Sequence, residues 1–129
     1  MKDNECPFCF PADDRVFFVG EYVLGIWDAF PVSNGHALII TNRHVTSWFD
    51  ANDDEHLEIL SSVNEARSAI NNKFSPDGFN IGVNIGEAAG QTVNHLHVHI
   101  IPRYTEDVPD PRGGVRHVIP EKGNYFSNS

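Results

Sequence analysis

Three histidines at alternate positions are the residues of this sequence best suited to do chemistry. His95, His97 and His99 are separated by single apolar residues. A period of two is typical of a β-strand, in which residues i, i+2 and i+4 point to one face. We therefore predict a strand with three imidazoles on one face, ended by Pro102, which cannot donate a hydrogen bond to a neighbouring strand.

Three explanations fit such a row of histidines. The first is an exposed polar face without chemistry. The second is a catalytic metal site, because zinc enzymes take several ligands from histidine. The third is a nucleophilic or acid–base histidine that its neighbours orient. Residues 86–92 favour the third, because a loop of small residues that ends in hydrogen-bonding side chains can bring backbone N–H groups close to an anion.

The same stretch resembles the signature of a known family. Residues 89–94, Ala-Gly-Gln-Thr-Val-Asn, precede His-Leu-His-Val-His-Ile-Ile, and this resembles the histidine triad (HIT) family of nucleotide hydrolases and transferases. The family-like sequence extends over residues 6–103. The resemblance implies an α+β, HIT-like fold in one domain, residues 1–129, with a C-terminal extension, residues 104–129, to which nothing is carried over.

The resemblance assigns roles to three histidines. The family counterpart of His97 is the nucleophile, which implies a covalent nucleotidyl-histidine intermediate that water then displaces. A neutral imidazole suits this role near pH 7, because its unperturbed pKa is about 6.5. The counterpart of His99 contacts phosphate. His36 matches a fourth active-site histidine that helps to hold the others.

Four more residues are candidates for substrate binding. Gln91 and Thr92, with their backbone amides, could donate to phosphate, although this segment could equally serve only to shape a turn. By resemblance Asn84 contacts the phosphate or ribose region. Asp28 occupies a position where the family has Asp or Asn, and a carboxylate suits ribose hydroxyls; capping a turn is its structural alternative.

The substrate follows from the resemblance alone. It implies action at the α-phosphate of a purine nucleotide, with dinucleoside polyphosphates as the leading class. The alternatives are a nucleoside phosphoramidate hydrolase and a nucleotide-binding adaptor module with little turnover. Phe8, Ile26 and Trp27 could form an apolar slot for the base, or equally pack in the core. Family members are commonly two-fold dimers with the long helix and a strand near the interface, so we expect a homodimer.

Cys6 and Cys9 are the only two cysteines of the chain. A C-x-x-C redox pair would be expected beside a βαβ pattern, which is missing here. Half of a zinc site is the favoured explanation, and a reduced pair packed as small hydrophobes is the other. Some bacterial relatives and galactose-1-phosphate uridylyltransferases carry such a pair, and there zinc also binds histidines at the positions of His44 and His95. The resemblance thus implies a closed, structural zinc site.

Composition excludes some classes of protein. The chain has 129 residues, of which 40% are hydrophobic, and this suits one globular domain. Its net charge of −9 argues against a nucleic-acid-binding surface. No apolar run approaches the roughly 18 residues of a membrane span, and the polar N-terminus lacks the apolar segment of a secretion signal. We expect a cytoplasmic protein that binds neither nucleic acid nor membrane.

The elements that must position these residues can be predicted from periodicity. Apolar and alternating runs predict four further strands, at residues 15–19, 22–27, 36–40 and 79–85. The order of hairpin, strand, long helix and hairpin predicts an α+β fold with a largely antiparallel sheet.

One long helix is predicted between residues 51 and 74. The evidence for it is a set of apolar residues that recur at three- and four-residue steps or near multiples of them: Leu57, Leu60, Val63, Ile70 and Phe74. Asn52 or Asp53 can cap the helix. His56 is expected to be a solvated surface residue. Residues 115–120 could form a short strand.

Overall fold

Two hairpins and a central strand form one antiparallel sheet. The computed structural model describes residues 2–126. Within them the strands pair in the order β1-β2-β3-β5-β4, and every neighbouring pair is antiparallel. The predicted α+β fold is confirmed. The main elements are β1 (Val16–Val19), β2 (Val23–Trp27), β3 (Ala37–Thr41), α1 (Asp53–Lys73), β4 (Gly78–Val83) and β5 (His97–Arg103).

Helix α1 covers one face of the sheet. Its N-terminus is closed by a capping box, in which Asn52 accepts from the Glu55 amide at 2.9 Å and Glu55 accepts from the Asn52 amide at 3.0 Å. The buried stripe runs through Ile59, Ala66 and Ile70. Leu57 and Leu60, which contribute to the helical periodicity, lie outside this stripe and are 65% and 61% exposed, because they lie about half a turn and about a third of a turn away from it.

The second face of the sheet carries the triad. Because side chains alternate along a strand, Val98 and Ile100 of β5 pack in the core beneath α1. His97 and His99 point to the other face, where they pair across the strands with Ile40 and Leu38 of β3. Here the N-terminal segment covers the smaller core through Phe8. The helix therefore leaves the triad face open to a ligand.

The triad strand differs from its prediction at both ends. It begins at His97, so His95 precedes it, and it continues past Pro102 to Arg103. Pro102 pairs with Phe79 of β4. The ladder tolerates this proline because β3 begins only at Ala37, opposite Ile100, so that Pro102 has a partner strand on one side alone.

Two other local predictions were wrong. His56 is not simply solvated: its ring stacks on Trp48 at 4.3 Å between centroids, and its Nε2–H donates to the Trp48 carbonyl at 2.7 Å. Residues 115–120 do not form a strand. Positive φ angles of 96° and 50° at Gly113 and Gly114 turn the chain into a 3₁₀ helix instead.

The residues that follow β5, numbers 104–126, are called the C-terminal arm here. The 3₁₀ helix of the arm, Gly114–Val118, packs against β4. Among residues 2–126, no helix combines the length and the apolar character that crossing a bilayer requires.

Candidate active site and metal centre

The hydrogen bonds around His97 define which of its nitrogens can react. The ring is buried, and its Nδ1 lies 2.8 Å from the carbonyl oxygen of His95. A carbonyl oxygen only accepts, so Nδ1 carries a proton and donates it. The neutral ring then keeps its lone pair on Nε2. Phe8 packs edge-on against the ring at 4.9 Å between centroids and limits its rotation.

A second chain of hydrogen bonds fixes His36 and His99. The Val32 amide donates to Nδ1 of His36 at 3.1 Å, so the neutral His36 ring carries its proton on Nε2. That nitrogen lies 2.9 Å from Nδ1 of His99 and 3.4 Å from Oδ2 of Asp28. Donation to His99 leaves the proton of the His99 ring on Nε2. His99 therefore offers an N–H donor beside the lone pair of His97.

The His36 and His99 rings are both held neutral. The pKa of His99 is lowered to about 4, mainly by burial and then by the neighbouring His97 and His36 rings, while Asp28 opposes this with a smaller effect. Burial likewise lowers the pKa of His36, although Asp28 opposes that effect. At neutral pH the pair therefore acts through directed N–H dipoles rather than through positive charge.

Asp28 and Asn84 lie on opposite sides of the histidines. Asp28 follows β2, and its Oδ1 accepts from the Phe30 amide at 2.8 Å. The turn-capping alternative thus holds for Oδ1, while Oδ2 faces His36. Asn84 directly follows β4 and shares a cavity with His36 and His99. The sheet thus brings both predicted residues to the site.

The loop before the triad is held by Gln91. Its Oε1 accepts from the Gly86 amide at 2.9 Å, and its Nε2 donates to the carbonyls of Thr46 at 2.6 Å and Val93 at 3.1 Å. These bonds occupy the side-chain amide, so it holds the loop. A role of Gln91 toward phosphate stays a prediction for its backbone amide. Thr92 is exposed on the same loop.

Cys6, Cys9, His44 and His95 converge as the resemblance implies, with ligand atoms that all lie within 4.8 Å of one another. Cys6 Sγ lies 3.3 Å from Nδ1 of His95, and Cys9 Sγ lies 3.2 Å from Nδ1 of His44 and 3.6 Å from Nδ1 of His95. A tetrahedral zinc ion with bonds of about 2.3 Å to sulfur and about 2.0 Å to nitrogen separates such ligands by roughly 3.6 Å. The spacing fits a metal.

The protonation of His95 also fits a metal ligand. Its Nε2–H donates to the Thr41 carbonyl at 2.8 Å, so the lone pair of the neutral ring lies on Nδ1, which faces the two sulfurs. Burial lowers the pKa of His95, and a ligand must be neutral. Cys6 and Cys9 are not joined by a disulfide. The four residues therefore form a possible metal site.

Sequence reasoning missed the residues that support the metal site. Arg43 donates from Nη2 at 2.7 Å and from Nε at 3.1 Å to the carboxylate of Glu55, which is 1% exposed. This pair ties the connector that contains His44 to the first turn of α1. Neither the burial of Glu55 nor its pairing with Arg43 was predicted from the sequence.

The predicted slot for the base is largely core. Ile26 has no exposed surface. Trp27 pairs with Ala37 and packs on Phe17 at 4.6 Å between ring centroids, on the helix side of the sheet. Phe8 packs edge-on against the rings of His95 and His97.

Comparisons with known proteins agree with this geometry. The HIT domain family model matches residues 10–106. A 16.1 kDa HIT-like protein of Mycoplasma pneumoniae is 38% identical over 109 residues, which are 81% of this chain and 75% of that protein. An AP-4-A phosphorylase of Mycobacterium tuberculosis is 35% identical over 105 residues, 81% of this chain and 54% of the relative.

A third relative is the asymmetrical bis(5'-nucleosyl)-tetraphosphatase of Schizosaccharomyces pombe, which is 37% identical over 98 residues, 76% of this chain and 54% of that enzyme. The matched part of this chain thus spans about half the length of each named enzyme.

Solved structures show the same fold. A HIT family protein from Bacillus anthracis superposes with a TM-score of 0.72 at 37% identity, covering 80% of this chain and 76% of that one. A Zn-bound histidine triad family protein from Mycobacterium smegmatis superposes with a TM-score of 0.70 at 33% identity, covering 82% of this chain and 84% of that one.

Proposed function

This chain belongs to the HIT domain family of nucleotide hydrolases and transferases, and from that premise we propose that it acts at a nucleotide α-phosphate through a covalent nucleotidyl-His97 intermediate. Dinucleoside polyphosphates are the proposed substrate class, with a purine nucleotide as the half that is held. The observation that supports this most directly is the bond from His97 Nδ1–H to the His95 carbonyl, which leaves Nε2 as a buried nucleophile.

In the first step Nε2 of His97 attacks the α-phosphorus. A phosphorus–nitrogen bond forms, and the bond from phosphorus to the bridging oxygen breaks. The electron pair leaves with that oxygen as the terminal phosphate of the second nucleotide, which needs no proton at neutral pH. The His95 carbonyl accepts from Nδ1–H and stabilises the positive charge that develops on the ring.

In the second step water attacks the same phosphorus. A new phosphorus–oxygen bond forms, the phosphorus–nitrogen bond breaks, and its electron pair returns to Nε2 of His97. One proton of the water passes to solvent, and the product is a nucleoside monophosphate. Inorganic phosphate in place of water would give a nucleoside diphosphate, the outcome that the phosphorylase name of one relative suggests.

The remaining residues position the phosphate. The Nε2–H of His99 donates to a non-bridging oxygen, and His36 keeps His99 in that tautomer through its 2.9 Å bond. Thr92, Asn84 and the loop amides supply further neutral donors. Asp28 accepts from the ribose hydroxyls. Positioning and directed dipoles of this kind provide most of the catalysis in transfer at phosphorus.

We propose that the metal held by Cys6, Cys9, His44 and His95 is zinc. A zinc ion with four protein ligands has no open position and contributes to folding. It would join the N-terminal segment to His95, which lies two residues before His97. His95 then serves as a ligand, while its carbonyl orients the nucleophile.

Trapping of the intermediate tests the proposed function. Wild-type protein mixed with diadenosine tetraphosphate and quenched in alkali, which preserves phosphorus–nitrogen bonds, should gain the mass of one adenylate on the peptide that contains His97. His97→Ala should lose both adduct and turnover and still bind AMP. His56→Ala, which removes a histidine on α1 away from the triad, is the matched control. Wild-type turnover by His97→Ala would refute the nucleophile.

The same assay shows whether water or inorganic phosphate accepts the nucleotidyl group from His97. Addition of inorganic phosphate should leave AMP as the product if water is the acceptor, and should convert it to ADP if phosphate is.

A further inference from the structure

A cavity of about 480 Å³ opens on the β4 side of the triad. His36 and His99 line one end of it, and Gly82 and Asn84 of the β4 side form its floor. Gly82 pairs directly with His99, so both point to the same face of the sheet. A Cβ atom placed on Gly82 would meet nothing within 4 Å. The space next to His99 is therefore open.

The C-terminal arm forms the opposite wall of this cavity through Gly114, Val115, His117 and Val118. These residues lie beyond the 10–106 region that matches the family model. We call the cavity between this wall, β4 and β5 the arm cleft.

The arm is held in place by its own hydrogen bonds. Arg116 donates to the carbonyls of Gly123 at 3.2 Å and Lys122 at 2.9 Å, and the Nε2–H of His117 donates to the carbonyl of Arg112 at 2.9 Å. At its start, Arg103 bridges Asn80 of β4, at 2.6 Å, to the first turn of the arm. The wall is thus preformed rather than dependent on a ligand.

The lining of the arm cleft suits an anionic group with an apolar end. The chain has 18 acidic residues, yet none of the described residues that line the cleft is Asp or Glu. The cavity behind it, by contrast, contains Asp107 and Asp110. Val115 and Val118 present exposed apolar surface, at 62% and 75%. Phosphate oxygens could meet the neutral donors at the histidine end, and a flat group could lie on the valines.

The order of the strands places the arm cleft on one side of His97 and the proposed site of the nucleotide half that stays bound on the other. Asp28 lies at the end of β2 and Phe8 packs on the β2–β3 side of His97, while the arm cleft lies across β5 on β4. A substrate centred on His97 must extend in both directions if it has two large halves. The half that leaves has the β4 side available.

We propose that the arm cleft binds the leaving half of the substrate, a phosphorylated group that ends in a second planar, uncharged nucleoside base, and that Val115 and Val118, the two arm valines that line the cleft, determine this specificity. The inference rests on the function proposed above. It predicts that the arm selects dinucleoside polyphosphates over nucleotides with a small leaving group.

Two adjacent arm residues give a matched pair of variants. Val118 lines the cleft, whereas Ile119 is 55% exposed and does not. Val118→Asp places a carboxylate next to the leaving half, and Ile119→Asp adds the same charge outside the cleft. Each variant is assayed with diadenosine tetraphosphate and with adenosine 5′-phosphoramidate, whose leaving group is ammonia.

Val118→Asp should lower kcat/KM for diadenosine tetraphosphate about tenfold more than for the phosphoramidate, a difference of about 1.4 kcal/mol. Ile119→Asp should keep the wild-type ratio, and the Kd of AMP should be unchanged in both. Equal effects on the two substrates, or equal effects of the two variants, would overturn the inference. If Val118→Asp lowers the melting temperature, Gly82→Val, which fills the cleft from β4, is judged by the same criterion.

The same data separate the two proposals. Wild-type protein that cleaves neither substrate refutes the proposed function, and the role of the arm falls with it. Wild-type protein that cleaves both substrates, with an unchanged ratio in the cleft variants, refutes the role of the arm alone.

Discussion

Replacement of Gln91 tests whether this side chain holds the loop or binds the phosphate. Its amide makes three hydrogen bonds with backbone groups, to Gly86, Thr46 and Val93. At about 1 kcal/mol net for each bond, Gln91→Ala should lose roughly 3 kcal/mol of unfolding free energy. In a domain of this size, that corresponds to a melting temperature about 10 °C lower.

Gln91→Glu is the sharper variant, because it exchanges a donor for an acceptor. One carboxylate oxygen would face the carbonyl oxygens of Thr46 and Val93, at the positions now 2.6 and 3.1 Å from Nε2. This repulsion raises the pKa of the new carboxyl above its unfolded value of about 4.3. A group with a raised folded pKa stabilises below the unfolded pKa and loses that effect as pH rises through the folded pKa. The deficit of Gln91→Glu should therefore be larger at pH 8 than at pH 5.

Urea unfolding at both pH values measures these changes, and steady-state kinetics at pH 7 measures the effect on the site. A positioning role predicts that kcat falls together with stability in both variants, while the exposed control Asn94→Ala leaves both unchanged. If Gln91→Ala kept wild-type stability and only raised KM, the side chain would act on the substrate and the positioning role would be refuted.

Three further predictions concern the metal, the helix and pH. Purified protein should contain about one zinc per chain by elemental analysis. Cys9→Ser should reduce this zinc content and lower the melting temperature by at least about 5 °C, and chelation of the wild-type protein should lower its melting temperature by a similar amount. An unchanged zinc content in Cys9→Ser would exclude the site. We expect light scattering to show a homodimer at micromolar concentration, and Leu57→Glu with Leu60→Glu to give a folded monomer, because both leucines are exposed on α1; a monomeric wild type would contradict this. The pKa of His99 is lowered to about 4 in the folded protein, so as the pH decreases His99 is protonated in the unfolded chain before it is protonated in the folded one. Stability should therefore fall as pH decreases from about 6.5 towards 4. His99→Asn should show a shallower fall, and equal slopes in the two proteins would rule out His99 as the cause.

The triad could be predicted from sequence because alternation and family resemblance are both local. The face that His97 and His99 share follows from the alternation. The convergence of Cys6 and Cys9 on His95, 89 positions from Cys6, was implied only by the family resemblance. The role of Gln91 could not be predicted, because its partner Thr46 lies 45 positions away in the chain.

The buried face of the helix and the path of the arm could not be predicted, for different reasons. Apolar residues of α1 fit more than one stripe, and only the sheet that packs against it selects Ile59 rather than Leu57. The arm lacks a periodic pattern, and its path depends on the positive φ angles of Gly113 and Gly114. Such turns are set by backbone conformation, which the apolar pattern used to predict strands does not report.

The neutral histidines bear on how so acidic a chain could bind the polyphosphate proposed as its substrate. With a net charge of −9, the surface as a whole repels anions. The described residues that line the arm cleft include no Lys or Arg, and burial keeps His36 and His99 uncharged at neutral pH. The phosphate must then be held by N–H and O–H dipoles at short range, which act within a hydrogen-bond length and are fixed before substrate arrives. Binding of this kind depends on the geometry of the donors far more than on net charge. The proposed chemistry therefore depends more on the bond from His36 to His99, and on the bonds through which Gln91 fixes the loop, than on any cation on the surface.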